Sequence, residues 1–133
     1  DGWAQYAQVL VFSGEPEESL DKMSTAMELN PRYAFFYTWI DGHARMLLGD
    51  YAAAETAFLE VLQRNPHFPG AHLTLASLYG NLDRIEEAEW AALEILSLDP
   101  DFTIGQEASR MPYQKPAHLE NYLEGLRKAG LPE

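Results

Sequence analysis

Three prolines recur along the chain at a nearly constant interval. Leu29–Asn30–Pro31, Arg64–Asn65–Pro66 and Leu98–Asp99–Pro100 carry similar residues, and the prolines stand 35 and 34 positions apart. Proline lacks an N–H and restricts the residue before it, so each triplet closes a helix. Upstream of each lies a turn and then a helical stretch: SGEPEES, LGDYAAAE and NLDRIEEAE. A repeat of this length constrains the fold more than any local propensity, because each unit must bury its apolar face against its neighbours. The pattern predicts helices near 2–13, 17–29, 33–48, 51–64, 69–81 and 85–97, with no strand-like alternation beside them. Ala7, Ala54, Ala76 and Ala88 let helices approach closely, and Tyr6, Leu10, Phe58, Leu75 and Tyr79 are expected to fill the spaces between them. Gly14 and Gly49 suit left-handed helix ends.

This arrangement resembles the tetratricopeptide repeat, a 34-residue pair of antiparallel helices. The resemblance rests on Trp3, Tyr6, Ala7, Leu10, Gly14, Ala26 and Pro31 in a first unit. Gly49, Asp50, Tyr51, Ala54, Phe58 and Pro66 carry it in a second, and Leu75, Ala76, Tyr79, Ala88 and Pro100 in a third. It implies an all-α helical-hairpin solenoid with three units over 1–33, 34–68 and 69–100, followed by 101–133 as a short helix and a capping helix. Ser19 stands where the family has Ala, and Asp83 where it has Gly. The second unit is one residue long, so its first helix has two registers. Anchoring on Gly42 turns Thr38, Asp41 and Arg45 toward the core, at a cost of several kcal/mol unless the charges are paired. Shifting by one turns Tyr37, Ile40, Ala44 and Leu47 inward instead. The shifted register is preferred, which makes Gly42 incidental.

Beyond Pro100, Asp101–Ser109 is expected to form one short helix ended by Met111–Pro112. Pro116 then suits a first helical turn and Gly130 a cap. Leu119, Tyr122, Leu123 and Leu126 form one apolar stripe, so this last helix is expected to cap the array. The run from LDPDF through MPY to PAHLENYLEGLRKAGLPE resembles segments that close such arrays in bacterial multidomain proteins. Those proteins carry an adenylate/guanylate cyclase domain or, in other cases, a winged-helix DNA-binding domain. The resemblance implies a C-terminal, non-catalytic part of a longer cytoplasmic signalling protein.

The chemistry-bearing residues support binding rather than catalysis. The net charge of −12 repels phosphate backbones, so no nucleic-acid partner is expected. No apolar run approaches the roughly 18–20 residues that span a bilayer. The chain has no cysteine, and no nucleophile elbow, phosphate loop or zinc-protease motif. His43, His67, His72 and His118 are expected to be surface or partly packed side chains, and neither a metal nor a cofactor is predicted. The acidic runs Glu15–Glu18 and Glu86–Glu89 open second helices, where negative charge favours the helix dipole.

By the same resemblance, first helices line a groove that holds a protein or peptide. Carried over, that groove presents Gln8, Thr38, Asp41, Arg45, Ser77 and Asn81. Asp41 and Arg45 are four apart and can pair. The carboxylate-clamping subclass is not expected, since Arg45 is the one basic residue available. A solvated groove, or one filled by the tail helix, is the alternative. Trp90 stands where earlier units have Asp21 and Thr56, so the terminal helix, a second copy or another partner should cover it. Trp39, near Phe35 and Phe36, raises the same question, and both tryptophans are candidates for self-association into a homodimer.

Overall fold

The computed structural model describes residues 2–133 and is all-α, with eight helices and no strand among them. They are α1 (Gly2–Phe12), α2 (Pro16–Leu29), α3 (Phe35–Leu47), α4 (Tyr51–Arg64), α5 (Pro69–Asn81), α6 (Ile85–Leu98), α7 (Ile104–Arg110) and α8 (Pro116–Lys128). The six predicted repeat helices are all present, with α3 starting later than expected because Tyr33 and Ala34 belong to the connection. The chain forms two compact units, one ending at Pro66 and one spanning His67–Glu133.

In the first unit, Ala4, Ala7 and Val11 of α1, Met23 and Ala26 of α2, and Tyr37, Ile40 and Ala44 of α3 share one apolar core. Ser19 is fully buried, and its hydroxyl donates to the Ala7 carbonyl at 2.7 Å. The serine therefore keeps the close α1–α2 approach without an unsatisfied polar group. Gly14 and Gly49 end α1 and α3 with φ of 84° and 83°, and Asp83 takes the same left-handed region at 59°. Aspartate is among the few residues that tolerate it.

Two expectations for this unit need correction. Gly42 is not incidental, because a Cβ there would stand 2.9 Å from Ala57 Cβ and 2.9 Å from Phe58 Cε1 of α4. Both registers operate, on different sides of α3: Tyr37, Ile40 and Ala44 are buried in the core shared with α1 and α2, and Gly42 admits α4. Leu47 is only partly buried. Tyr6 does not fill an interhelical space; it is 46% exposed and Trp3 is 40% exposed, with the Lys22 ammonium 5.7 Å and 5.6 Å from their respective ring centres. An aromatic face that draws a cation this way stays partly hydrated.

In the second unit α5 is buried all round, from Ala71 through Gly80. It packs against α6 on one side and α8 on another. The α5–α8 crossing is a backbone contact: a Cβ on Gly80 would collide with the Gly125 carbonyl oxygen, and one on Gly125 with the Ser77 carbonyl. Tyr122, Leu123 and Leu126 of the expected stripe are buried and Leu119 is half-buried. The short helix starts at Ile104 rather than Asp101, because the Thr103 hydroxyl caps it by accepting from the Gln106 amide at 3.2 Å. The free amides of Ile104 and Gly105 are taken by the carbonyls of Pro132 and Glu133, at 2.8 Å and 3.1 Å.

Replacing Gly80 by Ala forces α8 off α5. Overpacking of this kind costs about 1–3 kcal/mol, and the expected readout is a lower denaturation midpoint for Gly80→Ala, with Gly2→Ala, where nothing stands near the added methyl, as the control.

Candidate functional site

A cleft of about 520 Å³ opens in the first unit. Met27 of α2 and Tyr33 of the connection line it, together with Thr38, Asp41 and Arg45 of α3 and a row of α4 residues that includes Ala53, Thr56, Ala57 and Glu60. Three of the six predicted groove residues thus meet in one concavity. The Arg45 Nε donates to Asp41 Oδ2 at 2.9 Å, and its Nη1 lies 3.8 Å from Asp50 Oδ2. The Asp41 and Arg45 side chains keep 22% and 38% of their surface, so the desolvation cost of a buried charge pair is largely avoided. Thr38 is only 5% exposed and lines the cleft beside them.

The other predicted groove residues are elsewhere. Gln8 lies half-buried on α1 and does not line this cleft. Ser77 and Asn81 are engaged by the chain's own C-terminal helix: the Ser77 hydroxyl donates to the Tyr122 carbonyl at 2.8 Å, and the Asn81 amide nitrogen to the Asn121 carbonyl at 2.9 Å. Here the tail helix occupies the face of α5 that Ser77 and Asn81 present.

The aromatic candidates also separate. Trp39 is half-buried, with its ring 5.3 Å from that of His43, which in turn meets Phe12 edge-on at 5.3 Å. Trp90 touches His72 edge-on at 5.8 Å yet stays 46% exposed, so α8 does not cover it. His43 and His72 are fully buried rather than at the surface, because each sits against an aromatic ring on an inward face of its helix. Among the described residues, no three His, Asp or Glu side chains come together to hold a metal ion. None of the described helices is long and apolar enough to cross a membrane.

Sequence reasoning missed one cluster altogether. Glu107 of α7 is buried, and its carboxylate accepts from the Tyr122 hydroxyl at 2.6 Å and from the Arg110 guanidinium, whose own side chain is 67% exposed. The Tyr113 ring packs 5.7 Å from that of Tyr122. Burial, and then the Glu107 charge, push both phenols above their usual range, and the hydrogen bond to Glu107 raises the Arg110 guanidinium. Burial followed by the nearby Lys115 lowers His118. The carboxylate is neutralised by its own arginine and capped by a phenol, so the cluster clasps α7 to α8 and presents no reactive group. The signal in sequence was slight, a single Glu three residues before an Arg.

Tyr122→Phe removes the buried donor and leaves part of a carboxylate unsatisfied, a loss of about 1–3 kcal/mol, measurable by chemical denaturation. The phenols titrate higher in the folded chain, so the unfolded chain gives up its protons first as pH rises past about 10. Stability is therefore expected to be retained below that pH and to fall above it, less steeply in Tyr122→Phe.

Residues 45–106 match the tetratricopeptide repeat family. No curated protein matches the chain. Among solved structures, the chain is similar to one titled "Crystal structure of MamA", with a TM-score of 0.67 at 18% identity, over 96% of this chain and 74% of that one. That likeness shows the fold, an all-α helical-hairpin solenoid. Tetratricopeptide repeats in general serve protein–protein contact. The family match begins at Arg45, so Thr38 and Asp41 lie outside it.

Proposed function

We propose that this chain is a non-catalytic protein–protein interaction module, and that a segment of its partner seats in the cleft lined by Thr38, Asp41 and Arg45. The cleft itself carries the reading: α3 presents Thr38, Asp41 and Arg45 there, polar residues where close helix packing would call for apolar ones. Apolar walls with a few convergent polar groups suit an extended or helical peptide. The resemblance of the C-terminal run to array-closing segments of bacterial proteins supports a further step. In it the module is the cytoplasmic C-terminal regulatory part of a signalling protein such as an adenylate/guanylate cyclase. Homo-oligomerisation of the parent is the second reading; the half-exposed Trp90 offers it apolar area, against the charge of the glutamates on the same helix. Trp39, packed against His43, has less to offer it.

Ala53→Trp fills the cleft from α4 without touching the core. A protein captured by the wild-type chain should be lost by Ala53→Trp and weakened at least about tenfold by Arg45→Glu, as for a central contact, with helical content unchanged by circular dichroism. Retention of the same partner by both variants overturns the cleft assignment.

A further inference from the structure

The outward face of α6 carries an apolar pair that the described residues leave uncovered. Trp90 keeps 46% of its surface and Leu93 keeps 68%. Three positions apart on one helix, they make a single stripe. Around it stand Glu86 and Glu89, both exposed, and Glu94, half-exposed, at positions one turn or less from Trp90. None of the three is in an ion pair among the described residues, and α6 contains no Lys or Arg. The nearest cation in sequence, Arg84 at the helix start, is committed to Glu87 at 2.8 Å and to the face of Tyr79 at 4.6 Å. An apolar anchor is thus flanked by carboxylates that no side-chain cation among the described residues pairs.

We propose that this face of α6 docks a basic amphipathic segment of another protein, one that lays an apolar row on Trp90 and Leu93 and places Lys or Arg beside Glu86, Glu89 and Glu94. Tryptophan suits both halves of such a ligand, since its ring buries large apolar area and its face attracts cations. Charge selects against a second copy of this chain. The sequence holds 9 Lys and Arg against 21 Asp and Glu, and Arg45, Arg84, Arg110 and Arg127 are already held in ion pairs. Two such faces brought together would oppose like charges with no cation between them. The site lies in the second unit, while the cleft belongs wholly to the first, so neither proposal rests on the other.

The test uses the full chain and a fluorescein-labelled 18-residue amphipathic peptide of Leu and Lys (about five helical turns), with the same peptide carrying Glu for Lys as control. Fluorescence anisotropy should show binding of the Lys peptide alone, weakening as salt is raised. Trp90→Ala and Leu93→Ser should each weaken it, the tryptophan by about tenfold or more as a buried anchor. Glu86→Gln with Glu89→Gln and Glu94→Gln should weaken it and flatten its salt dependence, while Ala53→Trp leaves it unchanged. The proposal is overturned if the Lys peptide does not bind at low salt, if both peptides bind alike, or if the Trp90 and triple variants bind as the wild type does. A wild-type dimer in light scattering that Trp90→Ala dissociates would overturn it too, by assigning the face to a second copy.

Discussion

Helices in this chain meet at residues with little or no side chain, and the rest of the structure follows from that. Ser19 brings α2 onto the Ala7 carbonyl, Gly42 admits Ala57 and Phe58 of α4, and Gly80 and Gly125 bring α5 and α8 into backbone contact. Each crossing fixes the register of its helices, since a step of one residue would put a side chain where none fits. The larger apolar residues, among them Met23, Phe58, Leu75 and Leu126, then fill what those crossings leave. The cleft is a by-product of the same geometry. With α3 and α4 held together at Gly42, the neighbouring face of α3 is free to carry Thr38, Asp41 and Arg45 rather than packing residues.

The helices and their ends were readable because periodic prolines and left-handed glycines act locally. A proline at 31, 66 or 100 stops a helix whatever surrounds it, and Gly14, Gly49 and, after the last helix, Gly130 have the positive φ that such helix ends require. What escaped was nonlocal. Gly42 looked incidental because only the position of α4 shows why a Cβ cannot stand there. The repeat position of Tyr6 points to packing, yet its ring is half in solvent beneath Lys22. Glu107 reads as an ordinary surface acid until α8 delivers Tyr122 to it.

The candidate site was legible in part for the same reason. Thr38, Asp41 and Arg45 lie at spacings of three and four on one helix, so their common face follows from the sequence alone. The contribution of α4 and of Tyr33 does not, and neither does the loss of Ser77 and Asn81 to α8. Which of the polar residues on the first helices remain open depended on where the C-terminal helix lies.

That α5 is buried on every side has a kinetic consequence. Its amides, from the middle of the helix onward, are screened by α6 and α8, and the Ser77 and Asn81 side chains tie it to the carbonyls of Tyr122 and Asn121. Deuterium can reach them only when α8 lifts away or the whole unit unfolds. Within the second unit, α5 is therefore expected to exchange slowest, and the exchange rate at Leu75–Leu78 sets an upper limit on how often α8 leaves.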